Sequence, residues 1–397
     1  MRAGVRAYLD HAATSPMPEH VLHAYTEALR TVGNPASTHG HGQHASQLLE
    51  ASRDRIAHLV GCDHAELIFT AGGTESINLA LKGLYWSRRR AGAGPVVLVA
   101  EGEHHATMEA AEWLRDTQGA QLVGVPIDAS GRLSVEALET AIASAGADRV
   151  AVLSFLWANN EVGTVQPVQE LCRIAAAHGI PAHVDAVSAL GQVPVDFAES
   201  GAAALSLSAH KVGGPVGVGA LILGRRVTAD PLMHGGSQQR SRSGTQDVAG
   251  AVAFAAALES VLDEHGQPRQ SGIARLELLR DRLIAGVRAA DPASVLRGAP
   301  VGPQRLPGNA HFTFPGCQGD SLVFLLDAAG VSVSVGSACQ AGVAEISHVL
   351  LAMGLEPEVA AGALRFTLGH STSEAEVDAL IRALPEAVRS ARAAGLS

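Results

Sequence analysis

Between Leu67 and Leu223 the chain alternates short β-type runs with helical stretches, and this alternation constrains the fold more than any other feature. The β runs are Leu67–Thr70, Val96–Ala100, Leu122–Val125, Val150–Phe155, Ala182–Val184, Ala204–Leu207 and Val218–Leu223. Helical stretches at Thr74–Trp86, Ala106–Thr117, Val135–Ala145 and Val168–His178 separate most of them. Such repetition predicts an α/β fold built on a mostly parallel seven-stranded sheet with both faces covered. In sheets of this kind ligands sit beyond the carboxyl ends of the strands. The residues just after each run are therefore the ones to read for chemistry.

The flanks read differently. Tyr8–Thr14 is extended and is ended by Pro16 and Pro18; helices are expected over Glu19–Arg30 and Gln43–Val60, with a turn-rich loop at Gly33–Gly40 between them. After Gly244 come helices at Val248–Leu262, Ile273–Ala289, Ser321–Ala329 and Glu374–Ala394. They are mixed with β-like runs at His311–Phe314, Val331–Val335 and Leu364–Thr367. Ser373 and Glu376 form a capping pattern ahead of the last helix. At 397 residues one core does not suffice. We expect a large domain over 15–250 and a smaller α+β domain of 1–14 with 251–397.

A net charge of −10 and an aromatic share of 4% argue against a dedicated nucleic-acid binder, so any nucleic acid would be reached through partners. Four scattered cysteines, without a Cys-x-x-Cys pair, make neither a disulfide framework nor a metal site and suit a reducing cytoplasm. No secretory leader is visible, and no run approaches the ~20 apolar residues of a membrane span.

Lysine is almost absent: Lys82 and Lys211 stand against abundant arginine. Lysine can lose its proton and form an imine, which arginine cannot. Lys211 follows the sixth β run, in Ser208-Ala209-His210-Lys211. After the first run, Gly72-Gly73-Thr74 enters a helix and can cradle a phosphate. After the second comes Glu101-Gly102-Glu103-His104-His105, where His104 can stack on a flat ring or relay a proton. Asn159-Asn160 follows the fourth, and Asp185 closes the fifth, where a carboxylate needs a partner such as a protonated pyridine nitrogen. Each group alone has a bland reading as a cap, a turn or a surface side chain. Phosphate cradle, ring-stacking histidine, amide, carboxylate and imine-forming lysine, in that order, suit pyridoxal 5′-phosphate (PLP).

The chain resembles the NifS/IscS cysteine desulfurases of the class V aminotransferase group, which are fold-type I PLP enzymes. The resemblance rests on ordered motifs from end to end: Tyr8–Thr14, Gly33-Asn34-Pro35-Ala36-Ser37, Gly72–Ser76, Glu103-His104-His105, Asn159–Gly163, His183–Ala186, Ser208–Lys211, Met233–Gly236, Arg242–Thr245, Gly336–Cys339 and Arg365–Gly369. It implies that Lys211 holds PLP as a Schiff base, Asp185 pairs with the ring nitrogen, His104 stacks on the ring and Asn160 lies beside its hydroxyl. Gly73, Thr74, Ser208 and His210 would hold the phosphate. Thr245 would reach the phosphate of a partner subunit, making a homodimer. Asn34 and Arg365 would bind the carboxylate of L-cysteine, the arginine as a fork.

Cys339, in a stretch of small residues from Val335 to Gly342, discriminates among reactions. By the resemblance its thiolate takes the substrate sulfur as a persulfide, releases alanine and passes sulfur to acceptor or scaffold proteins. Lys211 would handle the Cα proton, and His104 would act as an acid–base helper near the leaving sulfur. Iron–sulfur cluster assembly is the expected destination; DNA phosphorothioation and tRNA thiolation are alternatives. Two departures from the family pattern mark a specialised branch. Ser188 stands where a glutamine usually meets the cofactor's hydroxyl, and Ser237-Gln238-Gln239 replaces a Gly-x-Glu pattern. A selenocysteine or cysteine-sulfinate lyase, an aminotransferase, or an inactive scaffold are competing readings, and Cys339 with the intact Lys211–Asp185–His104 set argues against them. Cys62, Cys172 and Cys317 read as inert thiols.

Overall fold

The computed structural model describes residues 6–236, 238–336 and 346–394. The chain opens with β1 (Ala7–Tyr8), α1 (Glu19–Leu29) and α2 (Gly40–Leu59). The alternating stretch follows as β2 (Leu67–Thr70), α3 (Gly73–Arg90), β3 (Val96–Ala100), α4 (His105–Gln118), β4 (Gln121–Val125), α5 (Val135–Ala145), β5 (Val150–Leu156), α6 (Val168–Ala177), β6 (Ala182–Asp185), α7 (Phe197–Ser200), β7 (Ala204–Ser208) and β8 (Gly219–Leu223). Then come α8 (Val248–Val261), α9 (Gln270–Ala290), β9 (Val295–Arg297), β10 (Asn309–Thr313), α10 (Gly319–Ala328), β11 (Val331–Ser332), α11 (His348–Ala352), α12 (Pro357–Ala360), β12 (Ala363–Thr367) and α13 (Glu374–Ala393).

The seven-stranded sheet has the order β2-β8-β7-β6-β5-β3-β4. Strands β3 to β7 run parallel, and β8 lies antiparallel between β7 and β2. The reversal has a simple cause. Only residues 209–218 join β7 to β8, without the helix of a parallel crossover. Along β3, Val96 and Leu98 enter one apolar cluster with Phe155, Leu205 and Phe254, while Val97 and Val99 enter another with Leu79, Leu84 and Leu221. Burial on both faces explains why these strands read as unbroken apolar runs.

The C-terminal elements build a separate cluster. Strands β12-β10-β9 pair antiparallel, and Phe312, Phe314 and Phe366 pack there with Leu283 of α9 and Leu380 and Leu384 of α13. The N-terminus joins them: β1 pairs in parallel with β11, Ala7 opposite Val331, and Leu9 is fully buried in the same cluster. Helix α8 instead packs against α1 and α2 in the large cluster. Ser373 and Glu376 form the expected capping box at the start of α13.

Short elements account for the differences from sequence reading. Strand β9 and helices α7, α11 and α12 span only three to five residues each, too few to show a period. Strand β11 ends at Ser332 because the chain then leaves β1, and Ser334 bridges to Arg365 of β12 instead. Lys82, the other lysine, lies 4.2 Å over the Trp113 ring, a cation–π contact that gives it a packing role.

Candidate active site

The carboxyl ends of β3, β5, β6 and β7 open onto one cavity of about 410 Å³, closed on the other side by Ala12, Ala13, Ser334, Gly336, His348 and Arg365. Ten of the sequence-predicted residues line it: Gly73, Thr74, His104, Asn160, Asp185, Ser188, Ser208, His210, Lys211 and Arg365. Asn34 and Thr245 are exposed and stand outside it. Cys339 lies outside the described residues.

Lys211 sits where β7 passes into a short 3-10 turn, and its Nζ donates to the Ala12 and Ala13 carbonyls, the latter at 3.0 Å. Burial, reinforced by the Arg365 guanidinium and opposed by Asp185 and Asp10, lowers its pKa from 10.5 to about 8. A usable share of free amine therefore exists near neutral pH. Asp185 ends β6 and is 2% exposed; its Oδ1 accepts the Val187 N–H at 2.9 Å. Burial raises its pKa to about 6, against the pull of that bond and of Lys211.

His104 caps α4, its Nδ1 accepting the Ala106 N–H at 3.0 Å. Its side chain lines the cavity, and desolvation by the surrounding fold, with Lys211 nearby, lowers its pKa to about 4. It is a neutral ring with its proton on Nε2, suited to lying against a flat ligand. His210 is likewise lowered to about 4 by burial and Lys211, with Nδ1 3.2 Å from the Thr14 hydroxyl.

The anion cradle is built by β2 and α3. Gly72 takes φ of +139°, open to glycine and strained for other residues, and caps α3 with no side chain. The first N–H groups of this long helix thus point into the cavity's end. Beside them the Ser208 hydroxyl is buried with no hydrogen-bond partner among the described residues. Glu75, in the first turn of α3, accepts from Arg242 at 2.9 Å, tying the Arg242–Thr245 loop to the cradle. Arg365 is pre-oriented by Asp10 at 2.8 Å and the Asn160 carbonyl at 3.0 Å, while its buried Nε has no partner among the described residues.

Residues 7–380 match the family described as aminotransferase class-V. The chain belongs to this family. Among class-V relatives, the IscS-like cysteine desulfurase of Mycobacterium tuberculosis is 50% identical over 393 residues, 98% of each chain. A solved NifS-like protein superposes with a TM-score of 0.87 at 32% identity, covering 97% of this chain and all of that one. The structure of SspA in complex with cysteine gives 0.77 at 28% identity over 92% of this chain and 100% of that one. Class-V enzymes of this kind are PLP-dependent. The residues fit the group: an orphaned serine and bare helix N-terminus for a phosphate, a buried carboxylate for a ring nitrogen, and an amine of lowered pKa for an aldehyde.

Polar cavity residues that the sequence reading did not single out include Glu103, His105, Glu161 and His348. Glu103 follows its strand just ahead of His104, where a carboxylate looks like a solvated one. His105 and His348 stack edge-on at 4.9 Å between centroids, and His348 Nε2 donates to the Glu103 carbonyl at 2.8 Å. Nothing in sequence brings α11 to α4; only the packing does. Burial pushes the thiols of Cys62 and Cys172 up to about 12 and raises that of Cys317, so none of the three is a ready nucleophile.

Proposed function

We propose that this cavity is the active centre of a PLP-dependent cysteine desulfurase that converts L-cysteine to L-alanine and keeps the sulfur as a persulfide on Cys339. The observation that carries the reading is the meeting of Lys211, Asp185, His104 and the Ser208–α3 cradle around one cavity. When bound, PLP supplies an electron sink for a carbanion at the substrate's Cα. Lys211 would hold its aldehyde carbon through Nζ, and Asp185 would keep the ring nitrogen protonated. Ser208, His210, Gly73 and Thr74 would grip the phosphate. His104 would cover the ring, and Asn160 with Ser188 would face its hydroxyl, the short serine leaving room for a water.

Arg365 would fork onto the substrate carboxylate, helped by Asn34 from the 33–40 loop. Lys211, once free, would carry the Cα proton. His104 Nε2–H would supply a proton near the sulfur. In the net reaction an S–S bond forms at Cys339 as the substrate C–S bond breaks; sulfur is oxidised, and the carbon gains the proton and becomes the methyl of alanine. Sulfur then passes to an acceptor protein.

The separate apolar clusters support a two-domain division, with α8 packed in the cluster of the large domain. Thr245, exposed on the loop that Arg242 anchors, would reach the phosphate site of a partner subunit, making the working unit a homodimer. Among the described residues no helix is long and apolar enough to cross a membrane. We assign the enzyme to a reducing cytoplasm, where Cys339 stays a thiol.

The test is a purified holoprotein assayed for alanine and sulfide from L-cysteine. Cys339→Ala is expected to keep the cofactor's visible absorption and lose sulfide release. Full sulfide release by this variant would overturn the persulfide assignment, and amino transfer to a keto acid would favour an aminotransferase.

A further inference from the structure

Glu103 is a cavity residue whose chemistry the reaction above leaves unused. It lies in the turn between β3 and α4 and is 1% exposed. One carboxyl oxygen accepts the Leu156 N–H; the other, Oε2, is buried with no hydrogen-bond partner within bonding geometry among the described residues, and the residue lines the cavity. Leu156, which makes that single bond, is the register partner of Asp185 on the neighbouring strand. Two carboxyl groups therefore stand at adjacent strand ends in one wall, away from bulk water.

We propose that Glu103 and Asp185 share one negative charge, Glu103 holding the proton as a neutral acid so that Asp185 alone faces the cofactor ring as a carboxylate. The surroundings decide which group keeps the charge. Asp185 has the Val187 N–H on Oδ1 and the ammonium of Lys211 in its field. Glu103 has one backbone donor and the Thr107 hydroxyl beside it, both neutral groups that support a charge less than an ammonium does. The other charged and titratable groups around the cavity are His104 and His105 at the start of α4, Glu161 after β5, which accepts from the Ser347 hydroxyl, His210 beside Lys211, His348 on α11 and Arg365 on β12. His104 is neutral, and His348 spends its Nε2–H on the Glu103 carbonyl rather than the carboxyl. Two like charges so placed cannot both persist; burial first, and then Asp185, hold Glu103 well above the ordinary carboxylate range. Glu103 is thus a positioning residue acting through Asp185, and a permanently charged neighbour there would change the proton affinity of the ring nitrogen.

The inference rests on the reading that Asp185 meets that nitrogen, and the experiment separates the two. Infrared spectra of wild-type holoenzyme at neutral pH should contain a neutral-carboxyl C=O band that disappears in Glu103→Gln. The midpoint of the pH titration of the cofactor's visible absorption should be unchanged in Glu103→Gln, the neutral isostere. It should also be unchanged in Glu103→Met, which guards against a folding defect in the first variant. A midpoint moved by about one pH unit, a tenfold change in proton affinity, in both variants would mean that Glu103 is charged in the wild type and would overturn the proposal. Absence of the infrared band in the wild type would do the same. If Asp185→Asn leaves the cofactor's absorption and affinity untouched, the Asp185 reading fails, while the infrared band still reports on Glu103 by itself.

Discussion

Capture of the cofactor should follow the free amine of Lys211, and the structure sets where that amine appears. Its pKa of about 8, against the ordinary 10.5, raises the uncharged fraction at pH 7 roughly 300-fold. Burial is the largest cause, the Arg365 cation adds to it, and Asp185 and Asp10 work the other way. Mixing apoprotein with PLP in a stopped-flow spectrophotometer across pH should therefore give a capture rate with a midpoint near 8. Asp10→Asn removes an anion that stabilises the ammonium and should lower the midpoint; Arg365→Gln removes a repelling cation and should raise it. The sign for stability follows as well. The folded apoprotein binds fewer protons at Lys211 than the unfolded chain between about 8 and 10.5, so this group's burial costs about 3 kcal/mol at pH 7, relieved as pH rises through that window. A capture midpoint near 10.5 in the wild type, or shifts of the same sign in both variants, would refute the electrostatic account.

Two further outcomes test the site and the core separately. Ser208→Ala deletes a buried hydroxyl that has no partner among the described residues, so apoprotein melting should hold or rise slightly while PLP affinity, read by equilibrium titration, falls about tenfold. Phe312→Ala empties a fully buried ring position in the C-terminal cluster and should cost about 3–5 kcal/mol, seen as a lower denaturant midpoint at unchanged slope.

Much of the candidate site was legible because a parallel α/β sheet exports its chemistry to fixed places in the sequence. Asp185 could be read as a site residue since it closes an apolar run, and Lys211 since lysine is scarce and follows another. The elements with a clear period, such as α9 and α13, were legible for the same local reason. Glu103 was not: a glutamate at a strand end looks like any solvated carboxylate until its burial and its unpartnered oxygen are seen.

Sequence alone determined the order of the longer strands and helices, the chemical types at the strand ends and the cofactor they suit, because these depend on local periodicity and residue identity. Tertiary structure decided the rest. It brought Ala12, His348 and Arg365 over a cavity whose floor lies between residues 73 and 211, reversed β8, and joined the N-terminus to the C-terminal cluster. It alone set the proton affinities of Lys211 and Asp185, since desolvation and neighbouring charge belong to the packed surroundings and not to the residue.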